Sequence, residues 1–321
     1  MPRLIKKTVI LTKVETTTGT DAVPTGAANA LKVFDLSITP LEMSSIDVPL
    51  MAAWFGAAMS LPGTSFSKCS FSVLLSGAGL AATAPAWGPL LLGCANGETT
   101  GLVTPNRVEY LPVTDLLKTL SIYWYDDGLL HKLIGAFGTV KLSAKSGQAP
   151  KLTFEFTGLE STPTAVGNAT PVLTAWKDPV AITKANVSDI KLGCTYALGA
   201  LAGGTAYNSS GLELDWGNQV AFSPLLSTET VVLTDRKIKG TFSVDLTAAQ
   251  EATMIGQIKS RTVQSLGFVI GTASGNQIMI HAPAMVLKAH KKEEFNGQRM
   301  VGFDFELDPV AGNDELRLIS L

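Results

Sequence analysis

Lys151–Gly158 reads K-L-T-F-E-F-T-G, and Val301–Leu307 reads V-G-F-D-F-E-L. In the first, Leu152, Phe154 and Phe156 alternate with Thr153, Glu155 and Thr157. In the second, Phe303, Phe305 and Leu307 alternate with Asp304 and Glu306. Period-two alternation puts the apolar side chains on one face of a strand and the acidic and hydroxyl ones on the other. Gly147-Gln148 precedes one strand and Gly297-Gln298 the other. A turn and strand that return after ~150 residues are the mark of an internal repeat, which decides the fold before any single element does.

Outward from these strands the same order of elements recurs. In the first half, Leu31–Thr39 sets Phe34, Leu36 and Ile38 against Asp35 and Ser37, and Phe66–Leu75 sets Cys69, Phe71 and Val73 against Lys68, Ser70 and Ser72. A short helix over Pro85–Asn96 follows, opened by proline and closed by Gly97. After a short strand at Val108–Pro112, Leu120–Tyr125 and Leu129–Leu142 flank the hairpin turn Asp126-Asp127-Gly128. In the second half, Ala185–Leu201 reads as one strand, and Leu212–Trp216 and Lys239–Leu246 as two more. Thr247–Ser260 reads as a helix with Thr247 as its N-cap and Met254, Ile255 and Ile258 on one face. A second hairpin then turns at Ser274-Gly275-Asn276. Phe71-Ser72-Val73 matches Phe242-Ser243-Val244, and Gly128 matches Gly275. The longer spacing in the first half locates an insertion around 97–118, expected at an edge of the assembly or on its outer surface, where it need not repeat. The expected organisation is an N-terminal arm over 1–30, a first unit over 31–159, a linker over 160–184 and a second unit over 185–321. Residues 40–64, with Trp54 and Phe55, form a proline-bounded apolar excursion.

Composition narrows the function. The 321 residues are enough for about two domains. A net charge of -2 and a pI near 6.0 exclude a bulk attraction to nucleic acid or anionic membrane. Only 16% of residues are charged, against a usual ~25%, while 46% are apolar and mean hydropathy is +0.26. That balance suits a subunit buried against partners on several sides. Cys69, Cys94 and Cys194 show no paired spacing and read as buried thiols. Lys6, Lys7 and Lys13 break the N-terminal apolar run, so no signal peptide is expected. Pro49, Pro62, Pro85 and Pro89 interrupt every window long enough for a membrane span.

The motif search leaves little chemistry. Gly77-Ala78-Gly79-Leu80-Ala81-Ala82 fits G-x-G-x-x-A, with Glu98 further on, which is the pattern of a nucleotide-binding enzyme. Pro85 and Pro89 follow at once, and a flexible strand-to-helix loop accounts for it better. His131, His281 and His290 have no ligand spacing, so neither a metal nor a cofactor is expected, and no catalytic residue is assigned. The Asn168, Asn186 and Asn208 glycosylation triplets have no meaning without export, and Lys288–Lys292 reads as a solvated hairpin end. One pattern stands out. The polar faces of the alternating strands collect Asp35, Glu155, Glu213, Asp215, Asp245, Asp304 and Glu306, set against Lys68 alone, with Phe154, Phe156, Phe303 and Phe305 as core anchors behind them.

Several stretches resemble the tail tube (major tail) proteins of long-tailed bacteriophages. They are Lys13–Thr25 (K-V-E-T-T-T-G-T-D-A-V-P-T), Ala27–Glu42 (A-A-N-A-L-K-V-F-D-L-S-I-T-P-L-E), Ala84–Leu91 (A-P-A-W-G-P-L-L), Asp127–Val140 (D-G-L-L-H-K-L-I-G-A-F-G-T-V) and Ala311–Leu316 (A-G-N-D-E-L). The resemblance implies a mainly β fold with short helices, a β-sandwich or barrel unit whose sheets join those of neighbours into a ring. Stacked rings would form a hollow conduit for DNA in a virion tail assembled in the host cytoplasm. Implied partners are the chain itself, a tape measure protein and tube-end proteins, with DNA passing unbound and no membrane. The family's common form has one unit per chain and six chains per ring. A duplicated unit points instead to three chains with approximate sixfold symmetry, a hexamer being the alternative. The acidic faces would then line the lumen. A β-rich adhesin or fibre subunit is the competing class, and it would need an export route.

Overall fold

The computed structural model describes residues 3–49, 51, 53–57 and 59–321. Positions 1 and 2 of the N-terminal segment and 50, 52 and 58 of the 40–64 excursion lie outside the described residues. The first half runs β1 (Thr8–Val14), α1 (Gly26–Asn29), β2 (Phe34–Val48), β3 (Met59–Leu74), α2 (Gly88–Leu92), β4 (Asn96–Leu102), β5 (Arg107–Pro112), β6 (Leu120–Asp126), β7 (Leu129–Lys145) and β8 (Lys151–Ala165). The second half runs β9 (Ile190–Ala197), β10 (Ala200–Tyr207), β11 (Ser209–Asp215), β12 (Asn218–Leu225), β13 (Thr228–Arg236), β14 (Lys239–Val244), α3 (Ala248–Lys259), β15 (Val263–Ile270), β16 (Ile278–Phe295), β17 (Gln298–Leu307) and β18 (Arg317–Ser320). The fold is mainly antiparallel β, in open sheets rather than a closed barrel.

The repeat read from the two Phe-rich strands is present in the pairing. The first half pairs β1-β6-β7-β8-β3-β2, and the second pairs β9-β15-β16-β17-β14-β11. Phe71 lies opposite Phe154, as Phe242 lies opposite Phe303. Each half therefore holds an aromatic triad. Phe71, Phe154 and Phe156 have centroids 5.8 to 6.0 Å apart, and Phe242 sits 5.6 Å from both Phe303 and Phe305. All six rings are buried in one core that runs through both halves, each worth about 1.5–3 kcal/mol of burial. Asp127 and Gly128 both have positive φ, which is what a two-residue hairpin turn between β6 and β7 demands. α3 begins at Thr247 in a capping box with Gln250, as its sequence predicts.

The differences from the sequence reading lie at the margins of the units. Residues 8–14 are not arm: β1 pairs along all of β6, and Ile10 and Leu11 are buried. The seven-residue strand was hidden by the Thr- and Gly-rich stretch after it, which belongs to a docked loop. There Asp21 accepts from Tyr123, and Lys132 pairs with it at 3.0 Å. β8 continues to Ala165, past the expected boundary at 159. The linker is also docked, since Trp176 and Ile182 are buried and the Trp176 indole donates to the Ala30 carbonyl at 2.9 Å. Ala185–Leu201 is not one strand: Leu198 and Gly199, both at positive φ, turn β9 into β10. The helix over Pro85–Asn96 shrinks to α2.

The insertion is the hairpin β4–β5, and it is tied to the other half of the chain. β5 pairs with β18, the last strand of the chain, which pairs in turn with β16, so the insertion clasps the second half. Glu109 at its centre is buried and accepts from Arg107 (2.6 Å), Arg317 (2.7 Å) and the Tyr196 hydroxyl. Burial alone would raise its carboxyl pKa. The hydrogen bonds from Tyr196 and Arg107 and the charges of Arg317 and Arg107 outweigh that and hold it below the usual range.

Candidate functional site: a polar sheet face and its open edges

The two halves meet edge to edge. β7 of the first pairs with β11 of the second over Gly211–Asp215 and Lys141–Lys145, so one sheet runs β2-β3-β8-β7-β11-β14-β17-β16 across the subunit. Its buried side carries the aromatic triads. Its other side is polar and forms a shallow groove of about 860 Å³ centred on the junction.

Glu155, Glu213, Asp215, Asp304 and Glu306 line that groove together, and Asp35 joins them through Lys151 at 3.6 Å. Asp245 has the same strand parity but lies one step beyond the end of β14, outside the groove, where its amide donates to the Asn208 carbonyl. Phe154, Phe156, Phe303 and Phe305 are buried behind the face, with Phe305 reaching its lining.

The face is not acidic, however. Lys141, Lys145, Lys151, Lys239, Lys288 and Lys291 line the same groove. All but Lys239 stand in ion pairs: besides Lys151–Asp35 there are Lys145–Glu213 at 2.8 Å, Lys291–Asp304 at 2.9 Å, Lys141–Glu155 at 3.5 Å, and Glu306 between Lys288 (2.9 Å) and Lys237 (3.0 Å). The two lysines hold the Glu306 carboxyl below the usual range, and Asp304 raises the Lys291 ammonium. The acids are thus not set against Lys68 alone: Lys141, Ser143 and Lys145 alternate with Val140, Leu142 and Ala144 and share the polar face. Lys68 itself pairs with Glu42 at 2.9 Å.

The Gly77 loop has a structural occupant. The Gly77 amide donates to the Asn276 side chain at 2.8 Å and the Gly79 amide to the Gly275 carbonyl at 2.7 Å. A Cβ on Gly77 would lie 2.2 Å from the Gly275 carbonyl oxygen, so glycine is needed for the β15–β16 turn of the second half to approach. Among the described residues no His, Cys, Asp and Glu cluster could hold a metal. His131 stacks on Trp124 at 4.9 Å, and His290 meets Glu251 at 2.9 Å. All three cysteines are buried and free.

Two hairpins leave the edge-strand pairs at equivalent places. In the second half β12–β13, between β11 and β14, folds back over the first half. Phe222 stacks on Phe66 at 5.0 Å, and Val231 is 4% exposed. In the first half the distal part of β2–β3 projects with Leu41, Met43, Ile46, Met51, Trp54, Phe55, Met59 and Leu61 exposed. That patch is far larger than scattered surface apolars and marks an interaction surface.

The search of curated proteins found no match. A family model described as Phage tail tube protein matches residues 6–307, spanning both β repeats, the junction between them and both hairpins. This chain belongs to the phage tail tube protein family, which makes it a structural component of a virion tail.

Proposed function

We propose that three copies of the chain close into a ring whose inner wall is the eight-stranded polar face, and that stacked rings form a conduit for DNA. The observation that carries this reading is the internal junction: β7 and β11 already join two equivalent units edge to edge, while β2 at one end and the part of β16 beyond its pairing with β15 at the other leave open edges. Three chains supply 24 strands. At ~4.8 Å per strand and a tilt of ~40°, the circumference is ~150 Å and the backbone diameter ~50 Å, wide enough for a duplex after side chains are subtracted. Six chains would double it, which favours true threefold with approximate sixfold symmetry over a hexamer.

The lumen chemistry follows from Asp35, Glu155, Glu213, Asp304 and Glu306 with the lysines bound to them, and from Asp215 and Lys239, which line the groove outside those pairs. A wall in which most lysines are tied to carboxylates offers DNA little free cationic surface, so little counterion release drives binding. Fixed carboxylates interleaved with the lysines also limit the repulsion that a uniformly acidic wall would impose. The projecting β2–β3 hairpin reaches neighbouring subunits, and tape measure and tube-end proteins are the expected partners within the tube and at its ends. The role is structural rather than enzymatic, with assembly in the host cytoplasm. Electron microscopy of the purified protein tests this directly. Rings or tubes with threefold symmetry are expected. A single 33.7 kDa species in light scattering at high concentration, or six chains per ring, would overturn it.

A further inference from the structure

The internal junction has a defined register with which the open edges of the sheet can be compared. Phe154 and Phe303 occupy equivalent positions, and they lie opposite Val140 on β7 and His290 on β16. Counting from these, Lys141–Lys145 corresponds to Lys291–Phe295. Phe71 and Phe242 are likewise equivalent, which aligns Ser37 with Glu213, Ile38 with Leu214 and Thr39 with Asp215. Lys291–Phe295 pairs only with β17, and Ser37–Thr39 only with β3. Each is the open counterpart of a segment that is closed at the β7–β11 junction.

We infer that Lys291–Phe295 of one copy pairs antiparallel with the β2 edge of a second copy, with Thr39 opposite Lys291, Ile38 opposite Lys292 and Ser37 opposite Glu293. This rests on the ring reading above and adds the residues that form the seam. The side chains support the register. Within the chain, Ser143 lies opposite Glu213 and its hydroxyl reaches the Glu213 carboxylate at 3.4 Å. Between chains the same serine–glutamate pair recurs with its members exchanged, as Glu293 opposite Ser37. Pro40 follows Thr39, has no amide to donate, and ends the seam where Trp216 ends the internal one.

The outward side of the seam differs. Val140, Leu142 and Ala144 are buried inside the subunit, while their counterparts are His290, Lys292 and Glu294. Glu251 of α3 pairs with both His290 and Lys292, and these hydrogen bonds hold its carboxyl below the usual range. A charge at an inward position of an open edge discourages pairing with arbitrary strands. The seam therefore accepts the partner that supplies the right register rather than any exposed edge.

The test is disulfide trapping in the full chain. Ser37 and Glu293 lie on the outer strands of an eight-stranded sheet, ~34 Å apart at ~4.8 Å per strand, so a bond between cysteines placed there must join two chains. Oxidised S37C/E293C protein should run as a covalent series that stops at the trimer. S143C/E213C, the internal control, should link within one chain. The offset pairs S37C/K291C and S37C/F295C should link at least tenfold less. Hydrogen exchange on wild-type protein needs no substitution, and amides within Ser37–Thr39 and Lys291–Phe295 should gain protection on assembly. Rings or tubes in which an offset pair links preferentially, or in which these amides stay unprotected, would overturn the register while leaving the ring reading intact. Wild-type protein that never assembles would overturn both.

Discussion

The two hairpins that leave the edge strands show how one strand plan serves two surroundings. β12–β13 leaves β11 at Gly217, whose φ is positive, and folds back over β7 and β8 of the first half. Trp216 at its root is buried, and its indole reaches Asn96 at 3.2 Å; Asn218 donates to the Cys94 and Gly138 carbonyls at 2.9 Å each. The β2–β3 hairpin leaves the equivalent edge, and beyond the Phe66 stack its described apolar side chains stand exposed, Trp54 at 78% and Phe55 fully so. In the proposed ring the difference is whether the neighbouring unit belongs to the same chain. The first half's hairpin would then keep apolar residues because a second copy takes the place that the first half takes for β12–β13.

The largest effect should come from removing one hairpin or the other. Replacing residues 41–61 by an Asn-Gly turn should leave a folded monomer, with an unchanged far-ultraviolet spectrum, that no longer forms rings in light scattering or electron microscopy. Replacing residues 219–235 should instead destabilise the subunit, because Val231 and the stack on Phe66 are lost from within it. Rings from the first variant, or a stable monomer from the second, would erase the distinction.

The equivalence of the cores gives the next test. Phe154→Ala and Phe303→Ala each empty one position of a fully buried triad and should each cost about 3–5 kcal/mol in denaturant unfolding. A difference between them above about 1–2 kcal/mol would mean that the halves share topology but not packing.

Much of this was legible in the sequence for a definite reason. Alternation within K-L-T-F-E-F-T-G and V-G-F-D-F-E-L marks strands buried on one face only, and the two hairpin turns mark themselves by Asp-Asp-Gly and Ser-Gly-Asn. The succession of two strands, a helix, a hairpin and a further strand in each half, and the capped helix, followed from such local signals. What did not follow depends on contacts distant in the chain. β1 is seven residues long and is held by β6, more than 100 positions away, and β5 is explained only by β18 at the far terminus. The paired lysines alternate as plainly as the acids, but only the sheet order sets the two on one face. Five of the seven acids line one groove, which their strand parity alone could suggest but only the sheet order could establish.

The hairpin histidines separate the halves by pH. His131 stacks on Trp124 at a partly exposed position. His281 is 7% exposed, its Nε2 has no partner, and burial, with the Arg317 charge adding to it, lowers its pKa to about 4. The unfolded chain binds this proton near pH 6.5 and the folded one only near 4. The contribution is therefore fully present above about pH 6.5 and is lost as pH falls through that window, up to about 3 kcal/mol. H281Q should flatten the fall in melting temperature between pH 6.5 and 4, whereas H131Q should change it less. Equal effects from the two would refute the assignment.

The smallest effect concerns the two helices that follow β3 and β14. α2 has no side-chain cap and five residues, and it is held by burial of Leu90 and Leu91. α3 has 12 residues, of which only Met254 is buried, so its ends matter more. Thr247 accepts from the Gln250 amide while Gln250 returns a carbonyl to the Thr247 amide at 2.9 Å, which satisfies two end donors at once. Thr247→Ala removes half of that exchange and should cost about 1 kcal/mol, with Thr247→Ser restoring most of it. Glu251, which holds His290 and Lys292 beside the open edge of β16, sits in the first turn of the same helix. Fraying there should slow ring formation by more than the stability loss explains, because the edge is then presented with two uncompensated basic side chains. Assembly kinetics of T247A, compared with a variant equally destabilised in the first-half core such as V140A, would separate the two effects. Equal rates in both would show that the cap serves stability alone.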